Sequence, residues 1–500
     1  MRRYIGAIDQ GTTSTRFIIF DEKGQIIIQA QKEHEQIFPR PGWVEHDIEE
    51  IWKNTEECIR EAMKKSGILP EELVAIGITN QRETVVPFLR KSGRPLYNAI
   101  VWQDLRGEGC IQKLKSVITE DEIRERTGLL YSPYFAASKI RWLLDNVPRV
   151  RALAGKPELC FGTIDTYIAY KLTGRCITDV TNASRYMLMN LKTMNWDPIM
   201  LEIFGISRDN LPEIVSSTGE IYGYTDENGV FGASIPVCGI LGDQQAALFG
   251  QACFDAGESK CTYGTGCFML QNIGTDLKYS QHGLVTTVAY RKEGEEPRYA
   301  IEGSVAVAGS LVQWTRDNMK MVKNAKELDQ LAESVPDCGG VYIVPAFAGL
   351  FAPYWRSDAR GVIAGLTGFA NRAHICRAVL ESTAFQANDL LVAMEADSEI
   401  GIKALKVDGG MTNSAPLMAF QSDILQIPVI RPQIVETTAL GAAYAAGLTV
   451  GVWKDREELR KYWREQLRWT PTMDDKERQK KVGFWEKAVS RTLGWVPEDD

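Results

Sequence analysis

Apolar and polar positions alternate in blocks along the first twenty residues. The run Tyr4-Ile5-Gly6-Ala7-Ile8 and the run Phe17-Ile18-Ile19-Phe20 flank a polar stretch from Asp9 to Arg16. Short apolar runs bounded by turn residues predict a buried strand, a tight loop and a second strand. Residues 32–43 read as extended chain with a Pro39-Arg40-Pro41-Gly42 turn. Asp47 then stands as a helix N-cap, with Glu50 as its capping-box partner, ahead of a helix over about 48–65. Strands follow at 73–79, 84–89 and 99–104, a helix at 137–146, and a strand and helix at 160–163 and 164–172. A strand ending at Gly242 runs into a helix of small residues starting at Asp243.

The opening pattern then recurs: residues 259–270 are an extended run broken by Gly264-Thr265-Gly266, with a second strand behind it. Repetition of one device near mid-chain predicts two lobes of related design. The second lobe continues with a strand at 300–304, a helix at 309–319, a strand at 341–346, a long helix at 372–394 and a strand ending in Asp408-Gly409-Gly410. Residues 436–448 form a helix of small residues suited to close packing at a lobe boundary, and the charged, Trp-bearing tail from Lys454 reads as surface helices.

Size and charge narrow the class. The chain has 500 residues, 44% of them apolar, enough for two to four domains. With 57 Lys and Arg against 65 Asp and Glu, the net charge of −8 argues against a general nucleic-acid or anionic-membrane surface, so the expected partner is small. No apolar run approaches the ~18 residues of a membrane span, and Met1-Arg2-Arg3 leads into the first strand with no signal-peptide core, which predicts a cytoplasmic location. The ten cysteines are scattered with no Cys-x-x-Cys and no zinc-ligand spacing, so they read as reduced and mostly buried. With only four histidines (34, 46, 282 and 374), a catalytic base is expected to be a carboxylate.

The loop residues carry the candidate chemistry. Gly11 allows close approach of a ligand, and Thr12, Thr13 and Ser14 add hydroxyls to a run of backbone N–H groups, a combination suited to phosphate. Asp9 offers the oxygen ligand that a hydrated Mg²⁺ beside a nucleotide uses, and Arg16 a permanent positive charge. An isolated hairpin would use the same residues merely to bond its turn; the second loop at 264–266 weighs against that. Arg82 and Glu83, adjacent between two apolar strands, are costly to bury unless they bind each other or something polar. With Trp102 and the loop around Tyr134 they would serve a polyol, although a structural ion pair fits them as well. Asp243 is either a helix cap or a general base held at a strand end. Gly409 and Gly410 would let adenine or ribose lie against the backbone. Neither Gly-x-x-x-x-Gly-Lys-Ser/Thr nor a strand-linked Gly-x-Gly-x-x-Gly occurs, so a bound nucleotide requires another scaffold.

Taken in order, Asp9-Gln10-Gly11-Thr12-Thr13-Ser14, Asn80-Gln81-Arg82-Glu83-Thr84, Val101-Trp102-Gln103-Asp104, Gly242-Asp243-Gln244-Gln245-Ala246 and Tyr263-Gly264-Thr265-Gly266-Cys267-Phe268 resemble the motifs of the FGGY carbohydrate kinases, within the actin-like ATPase superfamily. The resemblance runs from residue 4 to about 450. It implies an α/β fold of two ribonuclease-H-like domains, 1–246 and 247–500, with a cleft between them. The implied reaction is phosphoryl transfer from ATP to a terminal hydroxyl of glycerol, giving sn-glycerol 3-phosphate. In it Asp243 would be the general base. Arg82, Glu83, Tyr134, Asp243 and Gln244 would hold the polyol, with Trp102 and Phe268 on its carbon edge. Thr12, Thr13, Ser14, Arg16, Thr265, Gly309, Gln313, Gly410 and Ser414 would hold ATP, and Asp9 and Asp243 would serve Mg²⁺. A homodimer or higher homo-oligomer is implied as well. Ser414 stands where the family often has Asn, and the loop Gly229-Val230-Phe231-Gly232-Ala233-Ser234-Ile235-Pro236 lacks the Arg through which some members are inhibited by fructose 1,6-bisphosphate, so weak inhibition is expected there. The rival readings are a kinase for another polyol or a ketose such as xylulose or ribulose, and an actin-like ATP-driven assembly protein.

Overall fold

The structure, a computed structural model, describes residues 2–496. Met1, and with it the start of the expected first domain and of the leader reading, lies outside the described residues, as do the last four residues of the expected second domain (497–500).

Three antiparallel strands open the chain: β1 (Tyr4–Gln10), β2 (Ser14–Phe20) and β3 (Ile26–Glu33). After helix α1 (Ile48–Ser66), β4 (Leu73–Asn80) pairs parallel to β1, and β5 (Pro236–Gly242) pairs parallel to β4. Parallel neighbours need a crossover, and α1 supplies the first. Asp47 caps α1 by accepting from the Glu49 N–H, and Gly67 ends it at φ +66°. The expected capping box does not close, because the Glu50 carboxylate accepts instead from the Glu35 N–H. The sheet order is β3-β2-β1-β4-β5, with Gly223–Tyr224 on the outer edge.

The second half repeats this plan. Helix α2 (Asp243–Gly250) leads to β6 (Ser259–Tyr263), β7 (Cys267–Gly274) and β8 (Arg298–Val305), then to helices α3 (Gly309–Asp317) and α4 (Arg372–Ser398). Next come β9 (Leu405–Asp408), β10 (Val429–Pro432) and helix α5 (Thr437–Thr449). The order β8-β7-β6-β9-β10 matches β3-β2-β1-β4-β5 position for position, with β6 antiparallel to β7 and parallel to β9. Val285–Tyr290 and Glu465–Trp469 extend the two edges. The expected pair of like lobes is therefore a repeat of topology.

Helices α2 and α5 fill the space between the sheets, sharing one apolar core with Ile5, Ile18 and Phe20 of the first sheet and Leu270 and Ala300 of the second. Close packing requires glycine on both sides: a Cβ at Gly441 of α5 would lie 1.9 Å from the Ala246 carbonyl oxygen, and one at Gly77 of β4 2.2 Å from that of Ala442. Backbone packs on backbone here, as the sequence of residues 436–448 predicts.

Two other expectations need correction. Only Ala99–Ile100 of the 99–104 stretch is strand, because the Asp104 carboxylate takes the Val44 N–H and the Arg106 guanidinium and turns the chain inward. The tail is not purely surface: Trp453 and Trp485 are buried, their indole N–H groups donating to the Glu22 carbonyl and the Asp389 carboxylate, and residues 465–469 add a strand to the second sheet. Among the described residues no helix is long and apolar enough to cross a membrane.

Candidate active site

In an α/β sheet, ligands gather beyond the carboxyl ends of parallel strands. Here Gln10 of β1, Asn80 of β4 and Gly242 of β5 lie opposite one another at those ends. Two strand spacings, about 10 Å, separate the first from the third, so the turn after β1 and Asp243 after β5 share one edge. In the other sheet Thr262 of β6 lies opposite Asp408 of β9, bringing the 264–266 turn beside Gly409 and Gly410.

In the first turn the Gly11 N–H donates to the Ser14 carbonyl at 2.9 Å. Gly11 does not need a positive φ, and an added Cβ would meet only the Ser14 oxygen at 3.5 Å, so the residue leaves an open face rather than making the bend. The Thr12 hydroxyl accepts from the Trp102 indole N–H at 2.9 Å, the Ser14 hydroxyl accepts from Gln31, and Thr13 is exposed. Arg16 pairs with Glu436, at the start of α5, at 2.8 Å and lies 3.7 Å from Asp9. Burial carries the Asp9 carboxyl up to about 6; Arg16 opposes the shift, and Glu436 and Asp243 add to it. Asp9 and Glu436 thus share the single guanidinium of Arg16.

In the second turn the carbonyls of Gly264 and Thr265 accept from the N–H groups of Ala308, Gly309 and Ser310, which docks the turn on the amino end of α3. Thr265 and Gln313 are exposed beside it, and a Cβ at Gly309 would lie 2.5 Å from the Gly264 oxygen. The two glycines after β9 differ in role. Gly409 holds φ +90° against the Tyr263 backbone, whereas a Cβ at Gly410 would meet nothing within 4 Å. Ser414 caps the helix Ala415–Leu425 and donates its hydroxyl to Asp329 at 2.7 Å, so its oxygen is already engaged.

Between the two turns lies a buried group of charges. Arg82 binds Glu302 of β8 through both terminal nitrogens at 2.5 and 2.8 Å, and its Nε lies 3.1 Å from Asp243 Oδ1. Glu83, held at φ +60°, accepts from Arg185 Nε at 2.5 Å, and Arg185 also lies 3.3 Å from Glu302. Arg82 and Glu83 are thus linked only through intermediaries, in an open chain of four, Arg82, Glu302, Arg185 and Glu83, that spans both sheets. Burial pushes the Glu302 carboxyl up, but Arg185 and Arg82 outweigh it and hold the group at about 2. Burial also raises Glu83, against the pull of Arg185 and Arg82. Trp102 stands edge-on to Tyr134 and Phe268, with ring centroids 5.6 and 6.4 Å away, and the Arg185 guanidinium lies over the Tyr134 ring. The oxygen of the Gln244 side chain accepts from Lys260 Nζ at 2.5 Å. Asp243 is the first residue of α2 behind the capping Gly242, accepts from the Gln244 N–H and keeps 31% of its side chain exposed.

Sequence reasoning missed Arg185, Glu302 and Lys260. A signal existed for Glu302, a lone acid inside the apolar strand Tyr299-Ala300-Ile301-Glu302-Gly303. Glu45 and His46 have separate partners: Glu45 binds Tyr97, Asn98 and Arg106, while His46 bonds to Gln36. Among the described residues no group of three or more His, Cys, Asp or Glu side chains is placed to hold a metal ion. A hydrated Mg²⁺ asks for less, because it keeps several waters and takes one or two carboxylates plus phosphate oxygens. The donor set Asp9 and Asp243 fits that demand.

Residues 4–250 match the N-terminal domain, and residues 259–450 the C-terminal domain, of the FGGY family of carbohydrate kinases. The chain is 54% identical to a glycerol kinase of Clavibacter michiganensis over 99% of both chains, and 52% identical to one of Beijerinckia indica over the full length of both. The crystal structure of Plasmodium falciparum glycerol kinase with ADP superposes with a TM-score of 0.93 at 41% identity, covering 98% of each chain. A xylulose kinase from Lactobacillus acidophilus shares the fold, with a TM-score of 0.85 at 22% identity over 98% of this chain and 97% of that one. Two sheets of one topology, together with these matches, establish that the chain belongs to the FGGY family of carbohydrate kinases.

Proposed function

We propose that this chain phosphorylates glycerol with ATP to give sn-glycerol 3-phosphate, using Asp243 as the general base. The observation that carries the reading is the place of Asp243: partly exposed on the strand-end row, beside Arg82 of the buried charge chain and on the same edge as the Gly11–Ser14 turn. The two halves, 1–246 and 247–500, supply the polyol side and the adenosine side respectively. Glycerol's vicinal hydroxyls donate to Glu83 and accept from Arg82, its carbon edge rests on Trp102 and Phe268, and Tyr134 and Gln244 complete the cup. Thr12, Thr13, Ser14, Arg16 and Thr265 line the phosphates, with Gly309, Gln313 and Gly410 toward the nucleoside; Ser414 reaches it only by releasing Asp329.

In-line transfer asks the protein mainly for positioning and neutralised charge. Asp243 takes the proton from the attacking hydroxyl while Arg82 Nε holds its carboxylate. Asp9 and Asp243 would hold Mg²⁺, which when bound neutralises the charge on the β- and γ-phosphates. A homodimer or higher oligomer and a cytoplasmic site of action belong to the same reading.

The buried charge chain explains why a triol suits the cup. Its charges are mutually bound, so Arg82 and Glu83 present fixed donors and acceptors without needing an ionic substrate. The direct test is ADP release with and without glycerol, xylulose or ribulose. Turnover that depends on glycerol supports the reading; equal rates on the ketoses, or slow hydrolysis indifferent to all three, overturn it.

Asp9 sets a pH dependence. A cation needs its carboxylate, and this group binds a proton below about 6. Affinity for magnesium–ATP is therefore flat above that pH and weakens below it, by about tenfold per unit where one proton competes. Calorimetric titration from pH 5 to 8 measures the slope, and Asp9→Asn should bind weakly and without it.

A further inference from the structure

Strand β6 carries a cation that the proposed reaction leaves unused. Lys260, fully buried, lies opposite Leu270 of β7, which in turn lies opposite Glu302 of β8, so the three side chains share one face of the second sheet. Thr262 and its partner Phe268 continue that face one step nearer the 264–266 turn. Among the described residues Lys260 forms no salt bridge. Its ammonium is satisfied by neutral oxygens instead: it donates to the Gln244 side-chain oxygen at 2.5 Å, the Thr262 hydroxyl at 2.9 Å and the Phe268 carbonyl at 3.4 Å. Gln244 follows Asp243 on α2, and Phe268 stands edge-on to Trp102, so one ammonium ties the two halves of the chain together at the cup.

An ammonium donates and never accepts. The Gln244 amide therefore has to turn its oxygen toward Lys260 and its NH₂ group away. Among the described residues that NH₂ group has no hydrogen-bond partner, and it is not sealed from solvent as a buried orphan would be.

We propose that Lys260 is a positioning residue for glycerol, locking Gln244 as a hydrogen-bond donor so that its NH₂ group meets the oxygen of a substrate hydroxyl. The inference rests on the reading of Arg82, Glu83, Tyr134, Asp243 and Gln244 as the polyol cup. Each hydroxyl of a polyol has one proton to give and two lone pairs to fill. Glu83 and Asp243 already accept, so a fixed donor beside them completes the set where a third acceptor would not. A second role is open to Lys260 on charge alone. Burial pulls its ammonium below the usual range, and Asp408, Asp243 and Glu302 oppose that pull. A cation acting through this field would alter the general base or the handling of ATP, whereas the amide lock acts on glycerol.

Steady-state kinetics of the full chain separate the two. Lys260→Met should raise KM for glycerol about three- to tenfold, the worth of one hydrogen bond, while kcat and KM for ATP stay within about twofold, the pattern of lost uniform binding. Because the lysine acts through the amide, the same substitution made in Gln244→Ala should add nothing further. Gln244→Glu leaves Lys260 in place and decides the matter even where Lys260→Met fails to fold. Its carboxylate keeps the ammonium contact but has no proton to give, so KM for glycerol should rise as it does in Lys260→Met. An unchanged KM in Gln244→Glu would make Gln244 an acceptor and overturn the lock. So would additive effects of the two substitutions, or a change in kcat or in KM for ATP as large as that in KM for glycerol. Failure of the proposed reaction itself is distinct, because it shows in the wild type as ADP release that does not depend on glycerol.

Discussion

Asp243→Asn should lower kcat by about 10²–10⁴-fold, the contribution of a positioned general base, while the dissociation constant for ATP stays within a few-fold of wild type. The asymmetry follows from what Asn keeps. Its oxygen still accepts from the Gln244 N–H, and Arg82, though it loses an anionic partner at Nε, remains bound to Glu302 by two hydrogen bonds. The cup therefore survives; the proton acceptor is lost, and of the two carboxylates proposed for Mg²⁺ Asp9 remains to hold the nucleotide's cation. Single-turnover kinetics with saturating glycerol isolate the chemical step, and nucleotide binding followed separately by fluorescence isolates affinity. Near-normal turnover in Asp243→Asn would remove Asp243 from the mechanism, while a large loss of ATP binding would make it a nucleotide residue instead.

The main lines of the fold were legible because local and global preferences agree. The run from Tyr4 to Gln10 is buried at every position, so its apolar character reports a central strand directly. The Gly- and Ala-rich stretch of α5 reads as a close-packed helix, and Gly441 on it and Gly77 on the facing β4 admit no side chain where they stand. The site was legible where turns carry it: Asp9, Thr12, Asp243 and the 264–266 turn occupy strand ends, and strand ends can be read. What was hidden depends on pairing across the chain. Glu302 lies 220 residues from Arg82, and Arg185 102 residues from Glu83, and no spacing rule links them. The same blindness explains the capping box: Glu50 had the right spacing, but a tertiary partner, the Glu35 N–H, took its carboxylate.

The chain of four charges is also where stability is most exposed to one change. Glu302→Gln should cost about 3–5 kcal/mol in urea unfolding, the range for removing one partner of a buried ion pair and leaving the other charge unpaired. Glu302 serves two guanidinium groups that are each almost fully buried, so neither Arg82 nor Arg185 finds water when the carboxylate goes. That loss is a large share of the roughly 5–15 kcal/mol by which proteins hold their fold. The pH dependence identifies the cause. Glu302 is held at about 2 in the folded protein, against about 4.5 for the ordinary side chain, so it favours the folded state above pH 4.5 and loses that contribution as pH falls toward 2. The linked stabilisation is roughly 3 kcal/mol. Glu83 is shifted the other way, so it favours the folded state at low pH and blunts the acid limb of the wild type. Glu302→Gln has only the Glu83 component, and its stability should therefore decline less than that of the wild type between pH 4.5 and 3. Because Arg82 stands between Glu302 and Asp243, the variant should also raise KM for glycerol more than KM for ATP. A variant as stable as wild type, or an acid limb unchanged from it, would mean that the four charges are solvated and that Arg82 is held by something other than Glu302.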